Sequence, residues 1–112
     1  MSNRLSGAVL AAAMALCGGA FAQEPLKIGV LSDMSGVVAD VGGAGSVVAA
    51  QIAVDEFGGQ VLGRKIEIVS ADHQFKGDIG LAIARRWFEQ ERVEAIADLI
   101  VSVVSAGVQN LA

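Results

Sequence analysis

The segment Leu26-Lys27-Ile28-Gly29-Val30-Leu31 is a short and nearly continuous apolar run, the composition of a strand that is covered on both faces. Such a strand sits in a sheet with helices packed against it, and the chain that follows has the matching periods. Gly36 to Gly45 is loop-like, with four glycines. Ser46 to Phe57 then places Val47, Val48, Ile52, Ala53 and Val54 at helical spacing, and Gly58-Gly59 supplies the left-handed turn that ends a helix. Leu62-Gly63-Arg64 turns into a second strand, Lys65 to Ser70, where Ile66 and Ile68 alternate with Lys65 and Glu67. Asp78 is positioned to cap a second helix running to about Glu91, with Ile79, Ala82, Ile83 and Trp87 on one face and Arg85, Arg86 and Glu89 mostly on the other. Val93 to Val101 reads as the third strand, and Ser102 as the cap of a following helix. The fold class is therefore α/β, a partial parallel sheet in three layers with the order β-α-β-α-β-α, its crossovers right-handed. The sequence stops at Ala112, roughly ten residues into a helix that should lead to a fourth strand, so the expectation is the first part of a larger domain.

The stretch before the first strand has a different character. Arg4 provides a positive start, Leu5 to Leu16 is apolar and nearly uncharged, and Ala20-Phe21-Ala22-Gln23 is a small-x-small cleavage step. Residues 1–22 read as a cleavable secretory signal, and residues 23–112 as the folded part of an exported protein. Cys17 lies inside the signal behind the bulky Leu16, which disfavours processing as a lipoprotein. No cysteine follows Ala22, so disulfides contribute nothing to the mature chain.

Composition narrows the function classes. The net charge of −4 and the lack of a basic or basic-aromatic stripe argue against nucleic acid as a partner. Beyond the signal no uncharged run approaches the length of a membrane helix. In a parallel α/β sheet the ligand binds beyond the carboxyl ends of the strands, near the point where strand order reverses. Three segments meet there: Ser32 to Gly45, Ala71 to Gly77 and the Val101-Ser102 corner. The first is glycine-rich, yet it holds neither a phosphate-binding G-x-x-x-x-G-K-[ST] loop nor a G-x-G-x-x-G fingerprint, so no nucleotide cofactor is expected. His73 beside Asp72 suggests a metal or an acid–base pair, but it is the only histidine, and it reads more simply as a solvated loop residue. Ser35 and Ser102 lack the surroundings of a nucleophile and read as a turn residue and a helix cap. Trp87 reads as a core anchor, and Asp55-Glu56 beside Arg64-Lys65 as solvated surface. No catalytic residue, metal site or cofactor is assigned.

Four ordered segments carry a resemblance: Lys27-Ile28-Gly29-Val30-Leu31-Ser32-Asp33-Met34-Ser35-Gly36, Val47-Val48-Ala49-Ala50-Gln51, Gly63-Arg64-Lys65-Ile66-Glu67 and Ala82-Ile83-Ala84-Arg85-Arg86. With their spacing they resemble the opening of the periplasmic solute-binding proteins of branched-chain amino acid and amide ABC transporters, over nearly all of residues 26–112. The resemblance implies the first part of lobe one of a type I periplasmic binding protein, whose two α/β lobes close on a small amino acid, amide or related carboxylate and then dock on a membrane permease. It implies a periplasmic location. It also implies that Ser35-Gly36 and Val41-Gly42 lie in the first ligand-facing loop, and that Ser102 lies in the turn that holds the ligand's α-carboxylate.

A helix N-terminus suits that last role, because its unpaired N–H groups and positive dipole end accept an anion without a fixed cation. The sequence departs from the family at this turn. Where relatives tend to carry a Pro/Cys-[Ser/Thr]-Ser-Ser run, this chain reads Ile100-Val101-Ser102-Val103 and keeps one hydroxyl, a loss of about 0.5–1.5 kcal/mol for each side-chain donor that was used. Val41 stands where an aromatic often lies in the first loop. The second lobe, with the groups that receive the ligand's ammonium, has no counterpart in these residues, so the expectation is a truncated receptor impaired in binding on its own. The alternative is a small secreted interaction domain that completes its sheet by oligomerising.

Overall fold

A computed structural model describes residues 22–112. The signal segment expected from the sequence lies outside these residues except for Ala22. The chain forms β1 (Leu26–Ser32), α1 (Gly43–Phe57), β2 (Gln60–Val61), β3 (Arg64–Asp72), α2 (Gly77–Arg86), a wider π turn (Trp87–Glu91), β4 (Val93–Ala97) and α3 (Ser102–Gln109). The sheet order is β2-β3-β1-β4. β1 is central and pairs in parallel with β3, Leu26 opposite Ile66 through Ser32 opposite Asp72, and with β4, Ile28 opposite Ala95 through Val30 opposite Ala97.

The sheet is not wholly parallel, as the sequence reading expected. β2 is a short antiparallel edge strand folded onto β3 through Leu62 and Gly63, whose φ angles of 49° and 76° are those of a tight type I′ hairpin turn. An apolar period shorter than three residues cannot announce a strand, so only the pairing with β3 defines it.

Alternation along the strands sends side chains to two helical layers. Ile28, Ile66 and Ile68 face Ala50, Ala53, Val54 and Phe57 of α1. Leu31 joins Ala84, Trp87, Val93, Val101, Val104 and Val108 in the buried core on the α2/α3 side, with Val69 and Ala71 against it. Trp87 is the anchor that the sequence suggested, 2% exposed. Gly29 makes room for it: a methyl group at Gly29 would lie 2.3 Å from the indole Cζ3. The π turn that starts at Trp87 ends with Arg92 in the left-handed region, φ 56°, which turns the chain directly into β4. Lys27 reaches across to donate to the Glu91 carbonyl, Nζ to O 3.0 Å.

The strand expected over Lys65 to Ser70 is longer, Arg64–Asp72, the helix expected to run to about Glu91 is an α-helix only to Arg86, and three further boundaries shift. α1 begins at Gly43, ahead of Ser46. Asp78 does not cap α2. Lys76 is the N-cap and Asp78 sits in the first turn, where its charge complements the dipole. β4 ends at Ala97, four residues before Val101, because Asp98 has φ 62° and leaves the extended region. Arg64, expected on a solvated surface, instead secures the chain's entry to β1. Its Nε donates to the Glu24 carbonyl at 2.9 Å and Nη2 to the Pro25 carbonyl at 3.1 Å, and it is ion-paired with Glu94. The hydrogen bond between them raises the Arg64 pKa and lowers that of Glu94.

Candidate functional site

α1 carries the chain from β1 to the β3 side, and α2 carries it back past β1 to β4, so strand order reverses between β1 and β4. The crevice at the carboxyl ends of those two strands is where this architecture binds ligands. Each parallel strand arrives there on a small residue followed by aspartate: Ser32-Asp33, Ala71-Asp72 and Ala97-Asp98.

The first two aspartates are consumed in building the rim. Asp33 is fully buried and accepts from the Gly36 N–H at 2.7 Å and the Val38 N–H at 3.1 Å, which curls the β1–α1 loop back over the strand end. Asp72 accepts from the Met34 N–H at 2.9 Å, the Gln74 N–H at 2.7 Å and the Ser35 hydroxyl at 2.5 Å, so it ties the same loop to β3. Partial burial pushes the Asp72 carboxyl upward, but the Ser35 hydroxyl, the two amides and neighbouring His73 outweigh it and leave the pKa below the ordinary aspartate value. Ser32 is buried, and its Oγ accepts from the Gly43 N–H at 2.9 Å, satisfying one orphan donor at the start of α1.

Asp98 differs. Its Oδ2 is buried and has no hydrogen-bond partner. It faces Gly42: a methyl group there would lie 3.0 Å from Asp98 Oδ2, 3.0 Å from Ser32 Oγ and 3.1 Å from Ile100 Cδ1. Gly42 thus lets the β1–α1 loop close on the β4–α3 corner.

His73 is not the solvated loop residue expected. It is 0% exposed, its Nδ1 accepts from the Phe75 N–H at 3.1 Å, and its backbone bonds Ser32 and Lys76. With Nδ1 as acceptor the ring proton is on Nε2, which is buried without a partner. Among the described residues no group of three His, Cys, Asp or Glu side chains is placed to hold a metal ion. No helix among them is long and apolar enough to cross a membrane.

The residues singled out from the sequence fall in two places. Ser35 and Gly36 are held by Asp72 and Asp33, and a methyl at Gly36 would meet the Asp33 carboxylate at 2.5 Å. Val41 is 82% exposed on the loop beside buried Gly42, which abuts the β4–α3 corner. Ser102 is exposed as the first residue of α3. It does not cap the helix: Val101 is the N-cap, and no side chain bonds the first turn. The sequence reading passed over Asp33 and Asp98 at the strand ends, although the repeated small-Asp step at each strand end was there to find.

A model of the periplasmic binding protein family matches residues 25–112. The chain belongs to the periplasmic binding protein family. Among solved structures it is 46% identical to the periplasmic ligand-binding protein of a branched chain amino acid ABC transporter from Burkholderia xenovorans, with a TM-score of 0.74 over 77% of this chain and 23% of that one. A periplasmic binding protein from Burkholderia mallei is 37% identical, with a TM-score of 0.71 over 78% and 23% of the two chains. The branched-chain amino acid transporter substrate-binding protein LivJ of Streptococcus pneumoniae, solved with isoleucine, is 28% identical, with a TM-score of 0.66 over 75% and 24%. No curated protein matches the chain. This periplasmic binding protein therefore spans about a quarter of the length of the solved relatives it matches. The relatives are ligand- and substrate-binding proteins of ABC transporters.

Proposed function

We propose that this chain is a solute-binding component of an ABC transporter, exported through a cleaved signal at residues 1–22, and that its ligand is a branched-chain amino acid. The carrying observation is the 46% identity to the Burkholderia xenovorans ligand-binding protein over 77% of this chain. The isoleucine complex of the Streptococcus pneumoniae relative supports the ligand class.

In this reading the ligand lies over the crevice between β1 and β4, its side chain toward Val41 and its α-carboxylate at the start of α3. That helix has no side-chain cap, so its first N–H groups are left to a ligand, with the Ser102 hydroxyl as one further donor. Ser35, Gly36 and Gly42 shape the loop that borders the ligand. The permease is the macromolecular partner. These residues form one wall of a cleft, and affinity in a two-lobed receptor comes from contacts on both sides.

A titration of the chain with leucine, isoleucine, valine and benzoate, followed by amide chemical shifts, tests this. Saturable shifts at Val41, Gly42, Ser102 and Val103 with a branched-chain amino acid are expected. The absence of any such shift at millimolar ligand would overturn it.

A further inference from the structure

We propose that Gln23 is a modification site: once the signal is removed after Ala22, its new α-amine closes on its own side-chain amide, and the mature chain begins with pyroglutamate. The proposal rests on the cleavage reading given above and goes beyond it to the chemistry of the new end.

The reaction needs no co-reactant. The α-amine nitrogen attacks Cδ of the same residue, the N–Cδ bond forms, the Cδ–Nε2 bond breaks, and Nε2 leaves as ammonia with a proton from the amine. Nothing is oxidised or reduced. The product is a five-membered lactam, and its closure is favoured because amine and carbonyl are held within one residue. An α-amine titrates close to neutrality, so a share of it is the unprotonated nucleophile at neutral pH.

The fold decides whether that end is presented or buried, and it presents it. Pairing of β1 with β3 begins at Leu26, so residues 22–25 stand outside the sheet, and Gln23 is exposed. The chain is fastened just behind it. Arg64 donates to the carbonyls of Glu24 and Pro25 at 2.9 and 3.1 Å, and the Glu24 carboxylate is ion-paired with Arg92. Gln23 thus lies ahead of the anchor, where ring closure disturbs no strand pairing. Its side chain lies over the β2–β3 turn, Oε1 3.5 Å from where a methyl on Gly63 would sit.

Charge points the same way. Arg64 with Glu94 and Arg92 with Glu24 make two balanced ion pairs around the entry to β1. An α-ammonium on Gln23 is an unmatched charge that competes with Arg92 for Glu24, whereas the lactam is neutral. The cyclised end also offers no amine to an aminopeptidase, so trimming stops short of the two residues whose carbonyls hold the entry to β1.

The test is intact mass and N-terminal sequencing of the full 112-residue chain after export, at once and after incubation at neutral pH. The expected product starts at Gln23, is lighter than residues 23–112 by one ammonia, is blocked to sequencing, and is opened by pyroglutamate aminopeptidase to reveal Glu24. Gln23→Ala, which leaves every anchor in place, should keep its full mass and an open end. A wild-type chain that starts at Gln23 yet stays open at full mass after incubation would overturn the proposal and leave the cleavage reading intact. A chain cut elsewhere, or not cut, would overturn both. A synthetic peptide of residues 23–29 that cyclises while the folded chain does not would show that the fold shields this end, and that too would overturn the proposal.

Discussion

The two faces of the sheet are held by different forces. On the α2/α3 side, Leu31, Ala84, Trp87, Val104 and Val108 are nearly or wholly inaccessible, and two glycines, Gly29 and Gly80, let the ring of Trp87 and the side chain of Val104 reach backbone. On the α1 side a half-open apolar groove runs along Ile28, Ile66, Ile68, Ala50, Ala53, Val54 and Phe57, with Phe57 66% exposed. Val54 and Ile66 are buried beneath α1, and polar contacts fasten its entry as well: Ser32 on Gly43, Asp33 on Gly36 and Val38, Asp72 on Ser35 and Met34. One helical layer is set by close packing, the other by a half-open seam around Val54 and Ile66 together with hydrogen bonds at the strand ends. A loop fastened by hydrogen bonds is easier to rearrange than a core, which suits the side that carries the segment proposed to face the ligand.

The most direct way to break this contrast is Trp87→Ala, which should cost about 3–5 kcal/mol in urea unfolding, since it empties the packed face. A cost below about 1 kcal/mol would mean that the α2/α3 layer does not dominate stability. Next, the same substitution should act in opposite directions on the two faces. A methyl at Gly80 would lie 2.6 Å from Val104 Cγ1, so Gly80→Ala is expected to destabilise by about 1–3 kcal/mol. Gly45 in the first turn of α1 has nothing within 4 Å of such a methyl, and Gly45→Ala should stabilise by about 0.5–1 kcal/mol. Matching signs in thermal melts would refute the asymmetry.

Smaller effects concern the α1 side alone. Ile52→Ser should change stability by less than about 0.5 kcal/mol, because the side chain is already half in solvent and lies outside the groove; a loss above about 1.5 kcal/mol would show that this face of α1 is covered in solution. Acid sharpens the polar half of the comparison. The folded-state pKa of Asp72 is depressed, so its contribution is fully present above the ordinary aspartate value of about 4 and is lost as the pH falls through the lower folded value. Asp72→Asn should flatten the melting temperature across that range relative to wild type. Hydrogen exchange in acid should open the amides of Met34 and Gln74 before those of α2, and the reverse order would contradict the assignment of hydrogen bonds to the α1 side.

Much of the architecture was legible because periodicity reports which residues must be buried. Leu26 to Leu31, Ile66-Glu67-Ile68 and the Ile79-to-Trp87 stripe each carried their element, and Gly58, with φ 105°, ends α1 as its lack of a Cβ allows. The edges were harder. Asp78 and Ser102 have cap-forming side chains, yet each lies inside its helix, since the chain direction imposed by the preceding turn decides which residue becomes the cap. His73 looked like loop by its neighbours and is buried, because the crossing of α2 and α3 covers the end of β3.

The sequence by itself determined the α/β class, the order of the parallel strands and the helices, the core role of Trp87 and the family, all of which depend on local period and on ordered segments. Only the tertiary structure decided that β2 adds an antiparallel edge, that one helical layer is packed and the other tied, and that of three similar small-Asp steps two are saturated while Asp98 is not. Hydrogen-bond saturation depends on which loops fold over a strand end, and that is settled by contacts between residues far apart in the chain.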